Sequence, residues 1–140
     1  MRNVLFSVAG ALVLASCSAN QPPVVGAQRT VNLTAPGGTT PMGTAYIVDL
    51  ANGDRATRLE LTGLQSNTNY VAHYHSTGSC TTPGTEIAGS EMSGMTGASA
   101  TTLTLRGLSP RTGTGGVDAA KYLDVHMTNT SGTVVACVNL

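Results

Sequence analysis

Charged side chains are scarce in this sequence. They make up 10% of its 140 residues, with seven lysines and arginines against seven aspartates and glutamates. Nucleic-acid binding needs a basic patch that neutralises phosphates, and this nearly neutral chain shows none. The composition therefore predicts no nucleic-acid partner.

Helical periodicity is also lacking, since no stretch repeats apolar residues every three to four positions. Short runs rich in Thr, Val, Leu and Tyr instead alternate with turn residues, which is typical of antiparallel β structure. We predict one all-β domain over 27–140, an antiparallel sandwich or barrel of about seven or eight strands. The candidate strands are 28–34, 44–50, 57–64, 70–75, 101–108, 122–128 and 133–139.

The apolar run from Val4 to Leu14 is too short to cross a bilayer. It follows one basic residue and leads to small residues, as in an export signal. The run ends in Leu14-Ala15-Ser16-Cys17, which resembles the lipobox of bacterial lipoproteins, where the cysteine is lipidated and becomes the first mature residue. We therefore expect a signal peptide over 1–16, lipid on Cys17, a flexible tether over 17–26 and anchoring to a membrane of the bacterial envelope. The alternative is a plain secretory peptide.

Cysteine occurs only three times. If Cys17 carries lipid, Cys80 and Cys137 are left, an even number in a compartment where disulfides persist. We predict that they bond to each other, which stabilises the fold by about 4 kcal/mol in the chain-entropy account. The alternative is two buried free thiols.

Histidine is equally rare, and its three copies are His73, His75 and His126. Residues i and i+2 of a strand point to one face, so His73 and His75 project side by side with Cα atoms about 7 Å apart. Imidazole suits copper and zinc, and His126 could join the pair if its strand lies alongside. Taken alone, H-x-H on a strand also fits histidines that face solvent or are satisfied in the core.

Four segments together resemble the copper/zinc superoxide dismutase family over about 28–140. They are Leu61-Thr62-Gly63-Leu64, His73-Tyr74-His75 with Cys80 after it, Asp124-Val125-His126 and Val135-Ala136-Cys137-Val138. The resemblance implies a Greek-key fold and one copper ion held by His73, His75 and His126. It also implies a Cys80–Cys137 disulfide and superoxide as the substrate.

Three departures from that family limit the resemblance. No histidine lies between Cys80 and Thr101, so a zinc site is not expected. Ten residues separate His126 from Cys137, too few for the family's long electrostatic loop, and Val134 replaces its active-site arginine. A guanidinium there would attract superoxide, so the departures imply slow dismutation at best and leave enzymatic activity open.

The methionines Met92 and Met95 lie in the segment that replaces the family's zinc loop. Thioether sulfur is a soft ligand that favours Cu(I), so the pair could assist copper capture. The alternative is that both methionines cover the edge of the sandwich.

A weaker resemblance links Lys121-Tyr122-Leu123-Asp124-Val125-His126 to the CHRD domain, a β-rich extracellular module. It implies structural histidines and a non-catalytic interaction or copper-capture module. The Cys80 and Cys137 positions favour the dismutase-like interpretation. Asp124, two residues before His126 and so on its face, is predicted to accept a hydrogen bond from a ligand histidine.

Overall fold

A computed structural model describes residues 21–128 and 132–140. The predicted signal peptide, the lipidation site Cys17 and residues 129–131 lie outside these described residues. The all-β prediction is confirmed. The strands are β1 (Val24–Thr34), β2 (Pro41–Leu50), β3 (Asp54–Leu61), β4 (Asn69–His75), β5 (Met92–Met95), β6 (Leu103–Pro110), β7 (Tyr122–Met127) and β8 (Thr133–Asn139), with one 3-10 turn at Val117–Ala119.

The eight strands form one antiparallel sheet in the order β5-β4-β7-β8-β1-β2-β3-β6. The edge strands β5 and β6 contact each other, which nearly closes the sheet into a barrel. Since β7 returns to lie beside β4, the arrangement β7-β4-β5-β6 has the strand order of a Greek key.

The closing contact depends on two glycines. A Cβ at Gly94 of β5 would lie 2.8 Å from Leu105 Cδ2, and one at Gly107 of β6 would overlap the side chain of Met92. Glycine therefore allows the two edge strands to approach each other.

Strand β5 has no counterpart among the predicted strands, because Met92-Ser93-Gly94-Met95 is short and lacks β-branched residues. This segment becomes a strand because its backbone pairs with β4, where Ala72 lies opposite Met92. Strand β1 begins at Val24, four residues earlier than predicted and inside the expected tether. There the Pro23 carbonyl accepts a hydrogen bond from the Ala51 amide.

Alternation along the strands assigns the faces. Leu59 and Leu61 are buried in the core, whereas Arg58 and Glu60 are partly exposed, as predicted. On β4, Ala72 and Tyr74 enter the core, so the neighbouring histidines point outward. The histidines therefore lie on the outer wall of the barrel.

Within 21–128 and 132–140, no helix is long and apolar enough to cross a bilayer.

Candidate metal centre

The strands that carry the histidines are neighbours. β4 pairs with β7 in a register that sets His73 opposite Asp124 and His75 opposite Tyr122. On β7, Leu123 and Val125 enter the core, so Asp124 and His126 share the outward face with the β4 histidines. The adjacency on which the three-histidine hypothesis depended is therefore present.

The three imidazoles lie close together. Ring centroids are 6.3 Å apart for His73 and His75, 5.8 Å for His73 and His126, and 6.4 Å for His75 and His126. These side chains stand on an outer wall, yet His75 is only 3% exposed. Another part of the chain must cover it.

That cover is the segment 76–91, which we call the roof loop. Glu86 forms a β-bridge with His75, and Gly84 donates its amide to the Tyr122 hydroxyl at 2.9 Å. Cys80 and Cys137 form the predicted disulfide, which ties the roof loop to β8. The bond spans 57 residues of sequence, so it fixes the loop over strands that are distant along the chain.

Donor atoms converge beneath the roof loop. His75 Nε2 and His126 Nε2 each lie 3.0 Å from the same oxygen of Asp124, Oδ1. Ligand atoms of these three residues all lie within 4.8 Å of one another, which makes them a candidate cluster for one metal ion. Asp124 is 2% exposed, so its carboxylate is held away from water.

Each histidine of the cluster also contacts a backbone carbonyl through its Nδ1 atom. His126 Nδ1 lies 2.7 Å from the Gly132 carbonyl, and His75 Nδ1 lies 3.3 Å from the Gly84 carbonyl. A carbonyl can only accept, so His126 Nδ1 carries the proton in a neutral ring, which leaves its Nε2 able to bind a cation. His75 differs, because its Nε2 is hydrogen-bonded to Asp124 Oδ1 at 3.0 Å and only one of its two nitrogens can donate while the ring is neutral.

His126 Nε2 is the exceptional atom. It is buried and has no hydrogen-bond partner among the described residues, because Asp124 Oδ1 is near enough for ionic contact but poorly aligned for a hydrogen bond. The Asp124 carboxylate raises the pKa of His126 above its usual value, while burial opposes the shift. A proton or a metal cation would satisfy this nitrogen, and two imidazoles with a carboxylate are a chemically suitable donor set.

His73 lies beside this cluster and is not one of its three members. Its Nδ1 is 3.4 Å from Glu86 Oε2, an acidic residue of the roof loop. Asp124 is hydrogen-bonded to His75 Nε2 at 3.0 Å, as predicted, and it also offers an oxygen to the candidate cluster. The signal for this role was its position two residues before His126, on the same face of one strand.

A cavity of about 330 Å³ opens beside the cluster. Both cluster histidines and Asp124 line it, together with Glu86, Tyr122 and Val134. The Tyr122 ring stacks on His75 at 4.2 Å with an angle of 10° between planes. The site thus has a fixed ligand on one side and room for a small molecule on the other.

The two methionines lie apart from each other. Met92 is buried in the core against Gly107, and Met95 is 56% exposed. Neither is among the cavity-lining residues in the described part of the chain. Their placement lends no support to a joint soft-ligand role.

Comparison with known protein families and with curated proteins found no match to this chain. The resemblances to superoxide dismutases and to the CHRD domain stay predictions. The candidate metal centre rests on its own geometry.

Proposed function

We propose that this protein is a membrane-anchored lipoprotein whose β domain binds one copper ion between β4 and β7. His75, His126 and Asp124 would hold the ion, with His73 as a neighbouring imidazole. The observation that carries the proposal is His126 Nε2, buried and unpartnered among the described residues, with its Nδ1 on the Gly132 carbonyl.

Copper is proposed over other ions for two reasons. Among divalent first-row metals, nitrogen and oxygen sites bind Cu(II) most tightly. The sequence also resembles a family that binds copper through the matching histidines. Zinc would accept the same donors, so the experiment includes it as a competitor.

The test is titration of the full-length chain in detergent with Cu(II), followed by EPR and by competition with Zn(II). We expect one nitrogen-coordinated Cu(II) per chain, with a spectrum that changes in His126→Ala and in Asp124→Asn. Glu91→Gln is the matched control, because Glu91 is exposed and does not line the cavity. An absent signal, or an unchanged one in His126→Ala, contradicts the proposal.

The same spectra distinguish two ligand sets. If three imidazoles bind, His73→Ala removes one nitrogen from the superhyperfine pattern. If Asp124 takes that place, His73→Ala leaves the pattern intact and Asp124→Asn alters it. The second result would assign the set His75, Asp124 and His126.

Slow superoxide dismutation is a second candidate, favoured by the cavity that opens onto the cluster. Copper, when bound, would supply one-electron redox chemistry. The chain's own residues would do little to attract the anion, because the cavity wall has Val134 and the carboxylate of Glu86. If copper-loaded protein consumes superoxide no faster than the same copper with His126→Ala, the domain binds copper without catalysis.

A non-catalytic module of the CHRD type gives a different expectation. There the histidines would be structural, and His73→Ala and His75→Ala would alter no property except stability.

A further inference from the structure

The cavity beside the metal cluster has acidic side chains and, besides its two histidines, no lysine or arginine among its described lining residues. Its carboxylates are Asp124 within the cluster and Glu86 on the roof loop. Residues 129–131, which precede the lining residue Gly132 in sequence, are Asn, Thr and Ser and carry no charge. Among the described lining residues, these two carboxylates are therefore not offset by a lysine or arginine.

Arg55, Arg111 and Lys121 do not line the cavity. Arg55 and Arg111 pair with Asp49 and Asp118. Lys121 donates its backbone amide to the His75 carbonyl, but its side chain is exposed and does not line the cavity.

Glu86 is the more exposed of the two carboxylates that line the cavity. Its backbone is bridged to His75, and its Oε2 lies 3.4 Å from His73 Nδ1. The side chain is 54% exposed, so its charge acts partly through water. Its influence on an incoming ion is therefore moderate and sensitive to salt.

The proposal that follows rests on the copper site proposed above. The carboxylates of Asp124 and Glu86 balance the two positive charges of a divalent ion held by neutral imidazoles. The ion, its imidazoles and the two carboxylates together carry no net charge, so they attract an approaching anion only weakly. The binding of a neutral molecule does not depend on this net charge. We propose that the cavity admits small neutral ligands to the metal in preference to small anions, and that Glu86 sets this preference.

The test follows the Cu(II) EPR spectrum of the loaded full-length chain during titration with azide, an anion, or with imidazole at pH 8, a neutral ligand. We expect Glu86→Gln to bind azide about three to ten times more tightly, the effect of removing one partly screened charge from the cavity wall. Imidazole affinity should stay unchanged, and the azide gain should shrink at high salt.

Two further variants make the result decisive. Glu86→Lys should raise azide affinity beyond that of Glu86→Gln, since the effect follows charge and not shape. Glu91→Gln, an exposed glutamate that does not line the cavity, should match wild type. Equal azide affinities across wild type, Glu86→Gln and Glu86→Lys would overturn the proposal, as would an equal gain in Glu91→Gln.

Failure of the copper site itself gives a different result. In that case no nitrogen-coordinated Cu(II) signal appears before azide or imidazole is added. That outcome overturns the proposed function and, with it, the ligand preference.

Discussion

Two polar clusters are partly buried in this domain, and they differ in how completely their atoms are paired. In the first, Arg55 donates to Asp49 at 2.8 Å, to Asp118 at 2.7 Å and to the Val117 carbonyl at 3.2 Å. In the second, a histidine nitrogen of the metal cluster has no hydrogen-bond partner among the described residues. Buried polar groups are normally satisfied, and this exception supports the proposed metal site.

The arginine cluster has a structural explanation. Arg55 of β3 reaches Asp49 of β2 and the 3-10 turn that contains Asp118, so it joins three parts of one end of the barrel. Its hydrogen bond holds the pKa of Asp49 below the usual value. The Arg55 guanidinium is therefore paired within the protein, and its burial is explained without a bound ligand.

The largest effect that we predict is a loss of stability when the arginine cluster is disrupted. Arg55→Ala should lower the free energy of unfolding by about 3 kcal/mol, because it removes a buried guanidinium and its three hydrogen bonds, while Arg111 still pairs with both carboxylates. Copper affinity should change less than about twofold, since sites that share no partner act independently. Urea denaturation and Cu(II) titration measure the two quantities.

The control for that experiment is Arg58→Ala. Arg58 lies over the Tyr46 ring and pairs with Glu60 at the surface, so its loss should cost less than about 1 kcal/mol. A large loss of copper affinity in Arg55→Ala would show that the two clusters are coupled. The arginine cluster could then not be called purely structural.

The second prediction concerns the metal cluster. Copper at one hundred times its dissociation constant should raise the free energy of unfolding by about 2.7 kcal/mol, because it binds the folded chain alone. His126→Ala should abolish this gain, and Asp124→Asn should reduce it. Thermal denaturation with and without copper measures the difference. An equal gain in His126→Ala would mean that copper stabilises the protein elsewhere.

How much of this could be read from the sequence differs between the two clusters. His73 and His75 were identified because i and i+2 share a strand face, and the pairing of their strand with that of His126 was a stated condition that the structure meets. Asp124 was placed on the correct face and predicted as a hydrogen-bond acceptor, and it bonds to His75. Its closeness to both histidine nitrogens was not predicted, since those distances depend on the register of the strands. The arginine cluster gave no signal, because its partners are six and 63 residues away from Arg55.

The roof loop was the least predictable part of the site. Its Gly-rich sequence indicates a loop, but nothing local specifies that it folds over the outer wall. Contacts between residues far apart in sequence hold it there, among them the Cys80–Cys137 disulfide and the hydrogen bond from Gly84 to the Tyr122 hydroxyl. The first was predicted from cysteine count, and the second was missed.

The third prediction tests that missed contact. Tyr122 stacks on His75 and accepts a hydrogen bond from the Gly84 amide, so it positions both the proposed ligand His75 and the roof loop. Tyr122→Leu removes both contacts and should weaken copper binding about tenfold or more, as for other residues that orient metal ligands. Tyr122→Phe keeps the stack and should have a smaller effect. If both variants match wild type in affinity and EPR spectrum, Tyr122 does not position the site.

The smallest effect that we predict is the dependence on pH. As pH rises, the stability of the metal-free protein should fall while its copper affinity increases. The Asp124 carboxylate raises the pKa of His126. In the metal-free protein the protonated ring therefore stabilises the fold below the unfolded pKa of about 6.5, and this contribution is lost as pH rises through the higher folded value.

Copper needs the same nitrogen without its proton, so its apparent affinity should rise over the window in which that stabilisation is lost. The stability difference between wild type and His126→Gln, measured without metal from pH 6 to 9, should shrink as copper affinity grows. Arg55→Met is the matched comparison, because guanidinium stays charged throughout this range and its contribution should not follow the same curve. A flat difference for His126→Gln would mean that Asp124 does not hold a proton on the ring, and the unpartnered nitrogen would need another explanation.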